Sequence, residues 1–301
     1  HVPSAQKMAD ELGARVAASP QDVFADPAVD AVIIASPTDT HVDLLTMGVA
    51  AGKPILCEKP TDLSLARGEE CAKAIAGTKV PIFLGFVRRF DPSHAAVAKA
   101  VREGTIGELS QVIVTSRDPG LAPESYLQVS GGIFRDMTIH DFDMARFILG
   151  EDVSEVVAVG SRLVDPTMME RLGDYDTISV LMTTASGRQA IINNSRRAVY
   201  GYDQRVEAFG SAGMAASQNC RPHAMTLSGE GYTEHAAPLL DFFIERYTHA
   251  FNAEIDAFAD AVEGKAAPAV TFEDGRQAQR LAEAATLSAR ENRIVKLAEL
   301  G

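Results

Sequence analysis

Three short apolar segments, each followed by a helical pattern, limit the possible folds more than any other feature of the chain. Residues 31–35, 55–57 and 82–84 are uninterrupted apolar runs. Such runs are typical of strands that are buried on both faces of a parallel sheet. Helical periodicity follows at about residues 41–51, 64–76 and 92–103. This alternation predicts an α/β domain built on a parallel sheet.

The same pattern is present at the start of the chain. Residues 3–12 predict a helix that Gly13 ends, and residues 14–16 predict a short strand. Ser19 and Pro20 are an N-cap and a first-turn proline. We therefore expect a second short helix to begin there.

The pattern changes after Gly107. Residues 109–116 alternate apolar and polar side chains, and further strands with mostly short connections are predicted at 155–160, 177–182, 190–194 and 205–209. Long amphipathic helices are predicted over 241–263 and 274–293. We therefore expect two domains: residues 1–106 hold the parallel sheet, and residues 107–301 form an α+β domain with a large, mostly antiparallel sheet. The C-terminal helix is expected to pack back on the first domain.

Composition and charge disfavour several classes of protein. With 46% hydrophobic and 23% charged residues the chain is typical of a globular protein, and no apolar run approaches the ~18 residues of a membrane span. A formal net charge of -13 with scattered Lys and Arg disfavours nucleic-acid binding. The three cysteines are widely spaced, which favours a reducing compartment and no metal site. We expect a cytoplasmic protein without membrane or nucleic-acid partners.

A polar pattern follows the glycine pair at 131–132. Asp136, His140 and Asp143 are spaced i, i+4 and i+7 in a segment with helical periodicity from about Arg135, so we expect them on one helix face. An imidazole beside a carboxylate is the arrangement that a general base needs. From spacing alone, an ordinary exposed Asp–His pair explains the pattern equally well.

A lysine follows the second apolar run directly. Glu58, Lys59 and Pro60 lie at the predicted carboxyl end of the strand at 55–57, where open α/β sheets bind their ligands. The tripeptide alone is also compatible with a solvated lysine at a strand end. Its position in the sheet favours a binding site.

These motifs, in this order, resemble the Gfo/Idh/MocA oxidoreductase family, and within it the inositol 2-dehydrogenase branch. The family pattern is found at 35–41, 51–54, 58–60 and 131–140, and the branch pattern at 88–92, 117–119, 138–143, 193–203 and 270–276. The resemblance covers essentially the whole chain. It implies a Rossmann-type first domain and an enzyme that oxidises a cyclic polyol, with NAD as cofactor and NADP not excluded.

The resemblance also implies residue roles. His140 is expected to be the general base, Asp136 to contact substrate and orient His140, and Lys59 to hold the reacting oxygen, with a Lys59–Pro60 bond that is often cis in the family. Cofactor contacts are expected from Ser36, Pro37, His41, Glu58 and Lys59. Simple turn chemistry also explains Ser36 and Pro37, and a helix cap at Asp39 or Thr40 explains the residues that follow them. Polyol contacts are expected from about half of a wider set, namely Arg89, Asp118, Asn194, Tyr200 and Tyr202.

The family pattern contains a glycine-rich strand–turn–helix unit that does not occur in this sequence. We expect this unit to precede residue 1 in the complete protein, since a sheet without it leaves an apolar edge.

Two other functions stay open. One is a sugar or sugar-acid dehydrogenase on the same scaffold, and the other is a non-catalytic nucleotide or sugar sensor. Apolar outward positions on the second sheet predict a homo-oligomer, a tetramer by the resemblance.

Overall fold

The first three apolar runs form a small parallel sheet. In the computed structural model, which describes residues 2–300, β1 (Val32–Ile34), β2 (Ile55–Cys57) and β3 (Ile82–Leu84) pair in parallel in that order. Every residue of β2 and β3 is buried. The helices of this part are α1 (Val2–Leu12), α2 (Pro20–Ala25), α3 (His41–Ala50), α4 (Leu65–Ala74) and α5 (Pro92–Arg102). The predicted α/β architecture is confirmed.

The predicted strand at residues 14–16 is wrong. These residues have no regular secondary structure and are exposed. A strand needs a partner for its backbone groups, and none of the described strands pairs with this segment.

The second domain is built on a large sheet and a separate hairpin. Its described strands are β4 (Leu109–Arg117), β5 (Val153–Ser161), β6 (Thr177–Thr184), β7 (Gln189–Ser195), β8 (Asp203–Gly210), β9 (Gly213–Ser217), β10 (Thr226–Gly229), β11 (Tyr232–Ala236) and β12 (Val295–Lys296). Seven of them form one sheet with the order β12-β5-β6-β7-β4-β8-β9. Neighbouring strands of this sheet are antiparallel except β4 and β7, which are parallel. The antiparallel hairpin of β10 with β11 was not predicted.

Helices cover one face of this sheet. The described helices of the second domain are α6 (Glu124–Leu127), α7 (Ile133–Asp136), α8 (Ile139–Leu149), α9 (Pro166–Leu172), α10 (Phe243–Val262) and α11 (Phe272–Glu291). Side chains alternate between the two faces along each strand. Val156 of β5 and Val180 of β6 point to one face and are buried, whereas Val159 of β5 and Leu181 of β6 point to the other face and are exposed. One face is therefore the core, and the other is open in the single chain.

The segment after the glycine pair is two helices rather than one. The break falls at Met137 and Thr138, between α7 and α8. Thr138 is fully buried, and its hydroxyl donates to Asn194 Oδ1 (2.6 Å). The prediction that Asp136, His140 and Asp143 share one helix face is wrong, because this buried contact interrupts the helical path. Asp143 instead pairs with Arg89.

Helix α11 joins the two parts of the chain. Gln279 is buried and donates from Nε2 to the carbonyl of Asp62 (2.8 Å), while its Oε1 accepts from Thr61 (2.6 Å). Both partners directly follow the β2 turn. The last long helix thus packs on the first domain as well as on the second sheet, and it fixes the turn that carries Lys59.

Cysteine and metal-ligating side chains are dispersed. Cys57, Cys71 and Cys220 are free thiols, and the first two are buried. Over residues 2–300, no group of three or more His, Cys, Asp and Glu is arranged to hold a metal ion. No helix in that range combines the length and the apolar character that a membrane crossing requires.

Candidate active site

A cavity of about 540 Å³ lies where the carboxyl ends of β2 and β3 meet α7, α8 and α10. Its polar wall consists of Glu58, Lys59, Arg88, Asp118, Tyr126, Asp136, His140 and Arg196. Its apolar wall is mostly aromatic and consists of Val87, Met137, Tyr202, Phe242, Phe243, Tyr247 and Phe251. A concave site with convergent polar groups on one side and rings on the other suits a small polyhydroxylated ring better than a flat partner surface.

Lys59 reaches the cavity from the end of β2. The Lys59–Pro60 peptide is cis, as the family resemblance implies. Lys59 Nζ donates to the backbone carbonyl of Asp136 (3.0 Å). Burial lowers the pKa of the Lys59 ammonium, while the nearby charges of Asp136 and Glu58 act in the opposite direction. The ammonium is thus held at a fixed place in a poorly solvated wall.

His140 begins α8 beside this lysine. Its Nδ1 is buried and has no hydrogen-bond partner among residues 2–300, and its ring meets Phe86 edge-on with centroids 6.2 Å apart. Burial, together with the positive charges of Lys59 and Arg88, lowers the pKa of His140 well below its ordinary value. The imidazole is therefore neutral at physiological pH and able to accept a proton.

Asp136 is held by partners other than His140. Its Oδ1 accepts from the Tyr126 hydroxyl (2.6 Å), and its Oδ2 accepts from Arg196 Nη1 (3.1 Å). No hydrogen bond joins it to His140 in the described structure, because the break at Thr138 turns the two residues apart. The predicted orientation of His140 by Asp136 is therefore corrected.

Asp118 is a carboxylate of the cavity wall whose side chain has no partner among the described residues. It follows β4, and its side chain forms no hydrogen bond or ion pair with the described residues. Burial raises the pKa of Asp118 to about 6, against the lowering effect of the Arg196 and Arg88 charges. Its oxygens are free to accept hydrogen bonds from a ligand.

A buried polar network lies behind His140. Arg88 and Ser116 both donate to Asp141 Oδ1, and Asn194 Nδ2 donates to Asp141 Oδ2 (2.7 Å). All four side chains are at most 6% exposed. Because buried polar groups are costly when unpaired, this network fixes the start of α8 and the direction of His140.

Three predicted polyol contacts lie outside the cavity wall. Arg89 pairs with Asp143 and Asp274, and Asn194 is committed to the buried network. The Tyr200 hydroxyl donates to Asp203 (2.6 Å) on a separate polar cleft. The structure does bring Asp118 and Tyr202 to the cavity.

Only two of the five predicted cofactor residues line the cavity. Glu58 and Lys59 line the cavity, whereas Ser36, Pro37 and His41 do not. His41 is buried, and its Nδ1 and Nε2 lie 2.8 Å from the Pro60 carbonyl and 2.9 Å from the Ser36 carbonyl. The His41 ring therefore ties the two loops together rather than pointing at a ligand.

Sequence reasoning missed four cavity residues that carry polar side-chain groups. Arg88 and Arg196 lie inside motifs that carried the family resemblance, so the stretch was identified but not the side chain. Tyr126 has no distinguishing pattern, and Tyr247 belongs to an aromatic stripe with Phe242 and Phe243 that is most simply interpreted as core or interface. Their positions become visible only when α6 and α10 are folded against the sheet.

The chain is similar to known proteins over most of its length. Residues 1–86 match a family model described as an oxidoreductase family with an NAD-binding Rossmann fold, and residues 94–216 match the GFO/IDH/MocA C-terminal domain. It is 51% identical to the inositol 2-dehydrogenase of Rhizobium meliloti (strain 1021), over 90% of this chain and 81% of that protein. It is 44% identical to the myo-inositol 2-dehydrogenase of Thermotoga maritima, over 98% of this chain and 88% of that protein.

A solved structure gives the same result at lower identity. The scyllo-inositol dehydrogenase of Lactobacillus casei with bound NAD(H) and scyllo-inositol superposes with a TM-score of 0.88 at 30% identity, over 96% of this chain and 87% of that chain. The two matched domains and the full-length relatives agree with the predicted resemblance. The chain belongs to the Gfo/Idh/MocA family of NAD-binding oxidoreductases.

Proposed function

We propose that this protein oxidises one CH–OH group of a cyclic polyol, inositol, to a ketone with NAD as the cofactor. The observation that carries the proposal is the convergence of the Lys59 ammonium, the neutral His140 imidazole and the unpartnered Asp118 carboxylate in one cavity. The relatives named inositol dehydrogenases support the substrate class.

The residues present fit a dinucleotide cofactor. The cavity opens at the carboxyl ends of parallel strands, where such sheets bind nucleotides. Glu58 offers a carboxylate for ribose hydroxyls, and Lys59 offers a cation beside it. When bound, oxidised NAD supplies the carbon that accepts a hydride. Ser36 and Pro37 are further candidates at the end of β1, whereas the His41 side chain acts by fixing their loop.

The proton moves between substrate and His140. Lys59 donates a hydrogen bond to the reacting hydroxyl oxygen and stabilises the negative charge that develops there. His140 accepts the hydroxyl proton at its unprotonated ring nitrogen while the hydride leaves the same carbon, so a C–H and an O–H bond break and a C=O bond forms. Both groups are held in place, because Lys59 donates a hydrogen bond to the Asp136 carbonyl and His140 is part of α8.

The remaining hydroxyls are held by the other polar groups of the wall. Asp118 accepts hydrogen bonds, and Arg88 and Tyr202 lie beside it on the same cavity. Asp136, fixed by Tyr126 and Arg196, presents a second carboxylate. A site with several acceptors and few apolar contacts on this side favours a ligand with many hydroxyl groups.

We predict that H140A lowers kcat by about 10²–10⁴, the usual effect of removing a positioned acid–base group, while NADH binding changes little. H249A, which removes an exposed histidine of α10, is the control and should retain full activity. NADH formation at 340 nm is measured with a panel of inositols, aldoses and sugar acids. Turnover by H140A near that of the wild type would remove His140 from the mechanism, and no turnover of any compound by the wild type would favour a sensor.

We predict that D118N raises KM for the polyol by roughly ten- to a hundredfold, because a hydrogen bond to a charged group contributes about 1.5–3 kcal/mol. Since the Asp118 pKa is about 6, the carboxylate is ionised above that pH and protonated below it. In the wild type, kcat/KM should therefore fall as pH decreases through about 6, and D118N should lack this limb.

The control for D118N is D256N, which changes an exposed aspartate of α10. It should keep both the wild-type KM and the acidic limb. An acidic limb that persists unchanged in D118N would assign that titration to another group.

We also propose that the open face of the large sheet joins copies of this chain in a homo-tetramer. Val159, Leu181, Phe209 and Met214 on this face are 38–64% exposed, and contiguous apolar exposure of this kind is typical of subunit interfaces.

The free thiols of Cys57, Cys71 and Cys220 are consistent with a reducing, cytoplasmic location.

We predict that light scattering at micromolar concentration gives the tetramer mass for the wild type and a smaller assembly for L181E, which places a charge at the centre of the face. I255E alters an exposed apolar residue of α10 and should leave the mass unchanged. A monomeric wild type would contradict the proposal.

A further inference from the structure

Helix α10 buries a carboxyl group that the proposed mechanism does not use. Glu254 is 2% exposed. Its Oε1 has no hydrogen-bond partner, and the described residues provide it with no ion pair. Burying an unpartnered carboxyl group is costly, and an apolar side chain would fill the same space at lower cost. The position therefore calls for an explanation beyond packing.

The helical spacing locates Glu254 directly behind the cavity. Tyr247, Phe251, Glu254 and Phe258 are spaced i, i+4, i+7 and i+11, so they share one face of α10. The first two line the cavity. Phe258 packs edge-on against Phe83 of β3, with ring centroids 6.1 Å apart. Glu254 thus lies between the cavity wall and the carboxyl end of the parallel sheet.

The charge that acts on Glu254 is that of Glu58, which lines the cavity beside Phe251. Glu58 follows β2 and lies against Gly85 at the end of β3, so closely that a Cβ on Gly85 would be 2.9 Å from Glu58 Oε2 and 3.3 Å from its Cα. A side chain at position 85 would displace Glu58. Gly85 therefore leaves room for the Glu58 carboxyl group at the two strand ends, on the cavity that Phe251 of α10 also lines.

Different neighbouring charges act on the Glu254 and Glu58 carboxyl groups. Burial, and after it the charge of Glu58, raise the pKa of Glu254 to about 8. Burial also raises the pKa of Glu58, but Lys59 and His41 oppose the shift. Glu58 has two positive charges acting on it and Glu254 has none, so Glu58 is the first of the two to ionise, and Glu254 then keeps its proton and can donate a hydrogen bond.

We propose that Glu254 is a positioning residue for Glu58, to whose carboxylate it donates a hydrogen bond through one water molecule, so that Glu58 faces the nucleotide ribose. The inference rests on the proposed function, since the contact of Glu58 with the cofactor is part of that proposal. It assigns a role in cofactor affinity to a residue that touches neither the cofactor nor the polyol.

The test compares variants that keep or remove the donor. E254Q keeps a neutral side chain with N–H donors, whereas E254M keeps only the volume and E254A keeps neither. The readout is the dissociation constant of NADH, measured by fluorescence titration. We expect E254M and E254A to weaken NADH binding about tenfold or more and E254Q to stay within about threefold of the wild type. Equal affinity of E254Q and both donor-free variants would overturn the inference.

Thermal unfolding of each variant separates this role from a structural one. E254M should unfold at or near the wild-type temperature, because methionine fills the volume of the buried carboxyl group and removes the cost of burying it. A weaker NADH affinity together with undiminished stability is not expected of a residue that only packs. If only variants of lowered stability lose affinity, Glu254 is structural and the inference fails.

The E58A background distinguishes the two proposals. If Glu254 acts through Glu58, E254M should change the NADH dissociation constant of the E58A protein by less than about twofold. If E58A itself binds NADH as the wild type does, the proposed cofactor contact fails. If E58A weakens binding but E254M has the same effect with and without it, only the role of Glu254 fails.

Discussion

The hydrogen bond from Lys59 Nζ to the Asp136 carbonyl is the contact on which the site depends. It joins the end of the parallel sheet to α7 of the second domain, across the cavity wall. A buried ammonium must have fixed acceptors, so the lysine constrains how the two domains meet. The Gln279 contacts behind the same turn act on the other side of it. The reacting groups are therefore positioned by the domain interface.

The positions of His140 and Asp136 follow from the break between α7 and α8. The fully buried Thr138 hydroxyl binds Asn194 on β7, and Asn194 also binds Asp141. This network rotates His140 towards Lys59 and leaves Asp136 to Tyr126 and Arg196. The imidazole is kept neutral by burial and by two nearby cations rather than charged by a carboxylate. A neutral base beside a cation is suited to removing a proton from an alcohol that is being oxidised.

Much of this could be predicted from the sequence, because strand patterns and motif order are local. Lys59, Asp136, His140, Asp118 and Tyr202 all reach the cavity. The errors concern the directions in which side chains point. Within 88–92 the sequence could not tell that Arg88 faces the cavity whereas Arg89 faces Asp143, since neighbouring side chains point to different sides. The inward direction of Asn194 depends on strand register, the break at Thr138 on a contact with β7, and the carboxyl pair on the packing of α10, none of which a single stretch encodes.

The most direct test of the account is a crystal structure of the protein with NADH and an inositol. The account predicts one ring oxygen within hydrogen-bond distance of both Lys59 Nζ and a nitrogen of His140, with another hydroxyl on Asp118. An inositol bound with no oxygen near Lys59 and His140, for example in the polar cleft beside Tyr200 and Asp203, would contradict it.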